Sequence, residues 1–480
     1  MRKLKNNQPI QTAPGRVSRY FFRQDTGQVR QAAIDLSSGL PLNRDALAWF
    51  LTIGFVPGTQ TLFSGVDCLP GNAQIMVRPG EYTIQHQKQY VDYVEPKRYA
   101  GWDLDRLVIE GGRRFRDAVT RCCETANSPW VVPISGGLDS RAILAALLEL
   151  IPANQISTYT FGTPGSWDFD IGCQVAHAAG TQHKAYDLTQ YEYTWERLEQ
   201  IAELSDGNTD LFTYPPMDWL KRDFGTEVTY WTGFMGETLA GGHLVTEPVQ
   251  DAVKHFITFN RYGRTCDQAE VLEDATLELN LSLLSKDVAT KHTFSSVCEY
   301  ELLDLSNRQE RYIAHQIFLR GFHYATPFLD PEWVHFMLSV PIKFRQGETL
   351  YRSMLRREFP ELFSLPLKNY VGLPLGAPYL LAQVKGRWHR LDRKLARWMR
   401  RSFIWPKLNY IDFAAGIRER DDLRSIVEVS LDRLLKRDLV STTKVRELWE
   451  AHKTGRADHA AMLRLLTSLE IIMNTFGISI

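Results

Sequence analysis

The 480-residue chain has no C-x-x-C pair and no H-E-x-x-H. Its cysteines, Cys68, Cys122, Cys123, Cys173, Cys266 and Cys298, are scattered, which argues against both a zinc site and a disulfide framework. There is no G-x-x-x-x-G-K-[ST], the loop that holds ATP for transfer of its terminal phosphate. No apolar run is long enough to span a bilayer. The opening residues, Met1-Arg2-Lys3-Leu4-Lys5-Asn6-Asn7, lack the apolar stretch of a signal peptide. A reducing cytoplasm is therefore the expected compartment. Excess charge is missing as well: 56 Lys and Arg balance 56 Asp and Glu, so no whole-molecule attraction to nucleic acid or anionic membrane is expected. What remains is an ordinary globular composition, 44% hydrophobic and 23% charged, with length enough for two or three domains.

One stretch organises the rest. Val131-Val132-Pro133-Ile134 is short, apolar and β-branched, and reads as a buried strand. Arg141-Ala142-Ile143-Leu144-Ala145-Ala146-Leu147-Leu148 is built from helix formers. Between them lies Ser135-Gly136-Gly137-Leu138-Asp139-Ser140. Gly136 and Gly137 let backbone approach a ligand closely. Ser135 and Ser140 add hydroxyls, and the helix start offers free N–H groups to an anion. Asp139 suits a magnesium ion, which takes carboxylate together with phosphate oxygens. Downstream, Ile156–Gly162 and Lys184–Leu188 read as further strands, with a helix carrying Val175, Ala176 and Ala179 between them and ending near Gly180. Another strand is expected at Glu227–Trp231. Strands alternating with helices predict a parallel sheet flanked by helices. In such sheets ligands sit beyond the carboxyl ends of the strands, which points to Phe161 and Gly162. A plain core role for Phe161 is an equal reading.

The loop resembles the S-G-G-x-D-S signature of ATP pyrophosphatases of the asparagine synthetase type. The resemblance implies a loop that grips the β and γ phosphates of ATP as leaving group, giving AMP and pyrophosphate. Thr232-Gly233-Phe234-Met235-Gly236-Glu237-Thr238-Leu239-Ala240-Gly241-Gly242 resembles that family's facing G-x-G-x-D-E-x-x-G-G loop. Glu237 stands at its metal-binding aspartate, and Phe234 replaces a glutamate that asparagine synthetases place there. Thr326-Pro327-Phe328-Leu329-Asp330 matches its P-F-L-D element, preceded here by His323 and Ala325 where the family has a carboxylate-gripping glutamate and arginine. Lys368 falls on the lysine of a later segment, Leu365–Pro374, where a cation can steady charge on the α phosphate; Pro366 replaces an arginine there. A surface carboxylate at Glu237 and a solvated Lys368 are the ordinary alternatives.

The resemblance therefore implies ATP and Mg²⁺, with Ser135, Gly136, Gly137 and Ser140 on the pyrophosphate. Ile134, Phe161, Thr232 and Gly233 would line the nucleoside, Asp139 and Glu237 hold the metal, and Lys368 act in catalysis. The implied fold is an adenine nucleotide α-hydrolase-like (PP-loop) α/β domain over residues 99–480, with a helical C-terminal part. The implied reaction adenylates a carboxylate, which an amine then attacks. The substrate would be a small-molecule or peptide carboxylate, with a separate ammonia or peptide-processing partner, and nucleic acid is not expected. Lasso peptide cyclases and β-lactam synthetases share the fold and lack a working glutaminase, so macrolactam formation of the lasso-cyclase kind is one alternative; a partner-dependent nucleotide-binding or tRNA-modifying PP-loop protein is the other.

Residues 1–98 read mainly as β, with one helix at Asn43–Thr52 capped by Asn43. Ala46–Phe63 and Gly65–Gly71 resemble the end of the family's glutaminase domain. Since family glutaminases use an N-terminal cysteine as nucleophile, a truncated, non-hydrolytic version is expected here. A connecting helix is expected over roughly 102–125, and residues 250–320 should be mostly helical, with charged faces such as Asn307-Arg308-Gln309-Glu310-Arg311. Lys385–Phe403 reads as a basic amphipathic helix, with Trp388, Leu391, Leu395, Trp398 and Met399 on one face. A solvated face is its usual meaning, and docking of a peptide, tRNA or anionic lipid is the sharper one.

Overall fold

The computed structural model describes residues 9–78, 80–245, 249–261, 271–272, 278–285, 295–399 and 411–480, the side chains of 379, 389 and 393–399 excepted. Cys266, parts of the 250–320 stretch and the end of the basic helix beyond 399 lie outside the described residues.

The N-terminal part holds two antiparallel three-stranded sheets. β1 (Ile10–Gln11) pairs with β5 (Ala73–Arg78), which pairs with β6 (Glu81–Gln87); β2 (Phe21–Arg23) lies between β3 (Gln28–Arg30) and β4 (Val66–Cys68). One buried helix, Arg44–Ile53, starts where the Asn43 side chain accepts the Ala46 N–H at 3.2 Å. It stops at Gly54, whose φ of +87° only glycine adopts without strain.

The central sheet is parallel and five-stranded, in the order β11-β10-β7-β8-β9. β7 (Trp130–Pro133) is its middle strand, with β8 (Ile156–Gly162) and β9 (Gln182–Asp187) on one side and β10 (Thr229–Trp231) and β11 (His323–Ala325) on the other. β8 forms where periodicity places it, β7 lies one residue early, β10 begins two residues late, at Thr229, and the helix Trp167–Ala179 ends at Gly180 in the left-handed conformation. β9 begins two residues early, at Gln182. β11 is only three residues long and joins the sheet by pairing with β10, Tyr230 opposite Tyr324. The sheet grows outward from β7 in both directions, so its topological switch point lies between β7 and β10. Crevices at such points, beyond the strands' carboxyl ends, are where open α/β sheets bind ligands.

The helix Leu104–Thr125, capped by Asp103, leads into β7. Helices Asp421–Leu435, Thr442–Lys453 and Ala460–Phe476 close the chain. The last of these packs on the N-terminal part: the Phe63 and Phe476 rings lie 4.8 Å apart, and the Leu42 N–H donates to the Ser479 carbonyl at 2.8 Å. These two ends of the chain share one hydrophobic core. Among the described residues no helix is long and apolar enough to cross a membrane.

Buried charge ties the N-terminal part to a second region, around Asp206 and residues 314–320. Asp206, nearly inaccessible, takes Arg19 at 3.0 Å and Arg320 at 3.0 Å, and accepts the Ala33 N–H at 3.0 Å. Removing its charge leaves a buried Arg19 unpaired. Asp206→Asn keeps the left-handed backbone, which asparagine tolerates. We expect it to lower unfolding free energy by about 3–5 kcal/mol, measured by urea denaturation. A loss below 1 kcal/mol, on the order of an exposed pair, would show that the N-terminal part is not held this way.

Candidate functional site

β7 ends with Val131 and Val132 fully buried, and the chain then turns through Ile134–Leu138 into the helix Asp139–Leu148. The turn is pinned to β8 twice: the Ile134 N–H donates to the Tyr159 carbonyl at 2.8 Å, and the Ile134 carbonyl accepts the Thr160 hydroxyl at 2.7 Å. No side chain caps the helix start, so its first N–H groups face a crevice at the dipole's positive end. The Ser135 and Ser140 hydroxyls converge 3.5 Å apart, and the Gly137 N–H donates to Ser135 Oγ at 3.2 Å.

The loop after β10 comes up against Asp139. A Cβ on Gly233 would lie 2.7 Å from Asp139 Cβ, and one on Gly236 only 2.4 Å from Asp139 Cγ. Both glycines are there so that two loops can touch. The Glu237 N–H donates to Asp139 Oδ2 at 3.0 Å, and the Tyr351 hydroxyl donates to Asp139 Oδ1 at 3.0 Å. Burial, and then the Glu237 charge, push the Asp139 carboxyl up to about 8, against the pull of the Tyr351 hydrogen bond. The Glu237 charge is felt at Asp139, and two carboxylates lining one cavity offer a donor set for a hard cation. Among the described residues no group of three or more His, Cys, Asp or Glu gathers as a metal cage.

Ser135, Gly137, Asp139, Ser140, Thr232, Gly233, Glu237 and Lys368 all line one cavity of about 360 Å³. Ile134, Gly136 and Phe161 do not. Phe161 lies next to the last residue of β8, its ring stacked near Tyr159. Gly136 is turned toward the protein: a Cβ there would sit 2.9 Å from the Trp167 carbonyl and 3.0 Å from Lys368 Cβ. Its carbonyl accepts the Lys368 N–H at 2.9 Å. The expected clearance for a ligand is thus, at this glycine, clearance for the lysine segment. Lys368 Nζ pairs with Asp168 at 2.8 Å, at the start of the helix Trp167–Ala179.

The far wall carries His243, Arg308, Gln309, Ile313 and Glu348. Three of these come from Asp304–Ile313, which winds as a π-helical segment, a wide form that recurs at functional sites. The charged face at 307–311 lies largely in the interior: Asn307, Gln309, Glu310 and Arg311 are buried. Their charges are taken up inside. Glu310 pairs with Arg16 at 3.2 Å, and Arg311 donates to the Val56 and Gln60 carbonyls. Asp304, wholly buried, accepts from Gln309 Nε2 at 3.0 Å and meets His243 Nδ1 at 2.9 Å. That aspartate orients the imidazole toward the cavity.

Comparison with known proteins bears on the same residues. The profile described as Asparagine synthase matches residues 111–474. The chain belongs to the asparagine synthase family. A protein described as putative asparagine synthetase [glutamine-hydrolyzing] 2, from Methanocaldococcus jannaschii, is 22% identical over 207 residues. That match takes in 42% of this chain, which spans about two-fifths of the relative (39%).

In this asparagine synthase-family chain Phe234 is buried, edge-to-face on Phe318 with centroids 5.0 Å apart. The N-terminal turn Pro14–Arg16 packs over it, for a Cβ on Gly15 would come within 3.0 Å of the Phe234 ring. Asp168, His243, Asp304, Glu348, Tyr351 and Arg141 went unsuspected in the sequence. Arg141 had one local signal, a lone charge in an apolar helix. It is fully buried and donates to the Leu362, Leu365 and Pro366 carbonyls at 3.1, 3.3 and 2.8 Å, tying down the segment that delivers Lys368. The other five are brought in from separate elements and have no spacing that marks them.

The raised Asp139 carboxyl has a thermodynamic consequence. An acid that ionises at 3.8 when unfolded and at about 8 when folded binds more protons in the native state. Stability from this group is full at acid pH and is lost as pH rises through that window. Without divalent ions, Asp139→Asn should raise the melting temperature at pH 8 by roughly 2 °C and change it little at pH 5, in differential scanning calorimetry. Equal melting at both pH values would contradict the strained carboxylate.

Proposed function

We propose that the protein is an AMP-forming carbon–nitrogen ligase that adenylates a carboxylate and passes the acyl group to an amine. The observation that carries this reading is the meeting of the Ser135–Ser140 loop, the Glu237 loop and Lys368 around one cavity at the sheet's switch point. Free carboxylates are poor electrophiles, and adenylation supplies a good leaving group. The uncapped helix start and the Ser135 and Ser140 hydroxyls would receive the departing pyrophosphate. Asp139 and Glu237 would hold Mg²⁺, which neutralises phosphate charge when bound. Thr232 and Gly233 would flank the nucleoside, with Ile134 and Phe161 behind them. Lys368, released from Asp168, would steady negative charge on the α phosphate. The His243–Asp304 pair would take the proton that the amine loses.

Free aspartate is a poor fit to this cavity. Phe234 is a buried hydrocarbon where asparagine synthetases have a glutamate, and His323 and Ala325 replace a carboxylate-gripping pair. The acceptor side offers Met235, Ile313 and Ile317 beside Arg308 and Gln309, a mixed wall suited to a larger, peptide-like carboxylate. That favours macrolactam formation of the lasso-cyclase kind as the second reading.

Residues 1–98 would serve as a cover rather than a glutaminase, although the archaeal relative is described as glutamine-hydrolyzing. Cys68 is fully buried on β4, beside Arg16 at 3.6 Å. Burial pushes the thiols of Cys122 and Cys298 up to about 12 and about 11, and raises Cys123 and Cys173 as well. A raised thiol is the opposite of an activated nucleophile at these four. Ammonia or an amine would come from outside.

ATP–pyrophosphate exchange screened against free aspartate and peptide carboxylates tests the reading. We expect carboxylate-dependent exchange and AMP as product. Lys368→Ala should slow it by about 10²–10³-fold, and Asp139→Ala should abolish it. Release of ADP and phosphate, or exchange with aspartate alone, would overturn respectively the ligase chemistry and the peptide preference. ATP binding with no exchange would mark a nucleotide-binding subunit.

A further inference from the structure

The helix Tyr379–Met399 is turned inside out for a surface helix. Leu380, Leu381, Val384, Trp388 and Leu391 are 74%, 50%, 50%, 59% and 54% exposed. Five of the twelve exposed large hydrophobics in the described residues thus sit on this one element, so the exposure is a patch and not scatter. At 100° per residue these five positions fall within one arc of about 100°. Small residues face the body instead: Ala382 is buried, and a Cβ on Gly386 would lie 3.9 Å from the Val371 side chain. An amphipathic helix normally buries its large apolar stripe against the core. Here the stripe points away from it.

Cations flank the stripe. Arg387 and Arg390 are exposed beside it, and the helix sequence continues with Arg393, Lys394 and Arg397. Asp392, the helix's lone acid, is buried. A wide apolar face of Leu, Val and Trp bordered by bases, with low mean hydropathy, is the composition of a helix that lies in a bilayer's interfacial plane. The neutral net charge of the whole chain makes the local concentration of bases more telling. We propose that this helix docks the protein on an anionic lipid surface, its apolar stripe entering the headgroup–acyl boundary and its arginines pairing with lipid phosphates. An acidic surface without hydrocarbon would leave the stripe in water, and a neutral apolar groove would leave the bases uncompensated. Tyr379 follows Lys368 by eleven positions, and Val371, beside the helix, belongs to the same loop. Docking would therefore hold the cavity's Lys368 wall near the membrane.

Co-flotation of the full chain with vesicles of phosphatidylglycerol and phosphatidylcholine tests this. We expect binding to the mixed vesicles and about tenfold less to phosphatidylcholine alone. Leu380→Glu/Trp388→Glu should abolish binding, and Arg387→Glu/Arg390→Glu should weaken it about tenfold. Both variants should keep the wild-type melting curve, because the substituted side chains face water. Absence of flotation in the wild type overturns the proposal, as does binding that neither variant reduces. Loss in the variants of tRNA binding instead, or of a dimer seen by light scattering, with no vesicle binding, assigns the face to nucleic acid or to a second copy and equally overturns it.

Discussion

The Asp139 carboxylate is held where an isolated carboxylate would not choose to be. One oxygen accepts a backbone N–H from the β10 loop and the other a hydroxyl from Tyr351, on a helix more than two hundred residues away in sequence. Gly233 and Gly236 are bare because their Cβ atoms would occupy the same space. Three parts of the chain thus converge on one side chain at the point where the sheet changes direction. The convergence sets the spacing of the Glu237 loop from the Ser135–Ser140 loop, and so the shape of the cavity. Its electrostatic cost, a second carboxylate nearby in a partly desolvated place, is what prepares the pair for a cation.

The opposite wall is tied to the other end of the molecule. The π-helical segment Asp304–Ile313 turns Arg308 and Gln309 toward the cavity while Glu310 and Arg311 reach back to Arg16, Val56 and Gln60. A wide helix does this because its larger turn redistributes side chains around the axis. The N-terminal part is therefore a structural neighbour of the site, through both the π segment and the turn over Phe234. Polar groups so deeply buried are tolerated because most find partners: carbonyls for Arg311, a carboxylate for Arg16.

Interior and exterior are reversed at two places for opposite reasons. In the charged run 307–311, Asn307, Gln309, Glu310 and Arg311 are buried because they link the site wall to the N-terminal part. The apolar stripe of the helix Tyr379–Met399 is exposed because small residues, Ala382 and Gly386, are what meet the body. Charge and hydropathy along the chain look alike in both cases, since each is amphipathic at helical spacing. Which face turns inward is a property of the neighbours.

Much of the candidate site was legible along the chain. β7, its loop and the following helix could be read because a β-branched run, a glycine turn and a string of helix formers are local signals. So were β8, β10, the Asn43 cap and the Gly180 stop. Eight of the residues singled out for the site do line one cavity. Other features had no local signature. β11 is three residues long and exists only by pairing with β10. Asp168 meets Lys368, His243 meets Asp304, and Arg141 secures the 362–366 carbonyls only after distant segments pack. Gly136 has no Cβ because a lysine and a carbonyl fill the space, which its neighbours in sequence do not disclose. Local propensity acts over a few residues and so determined the elements. Partnership between charges far apart in sequence depends on which elements the folded core brings together, and only the tertiary structure decided that.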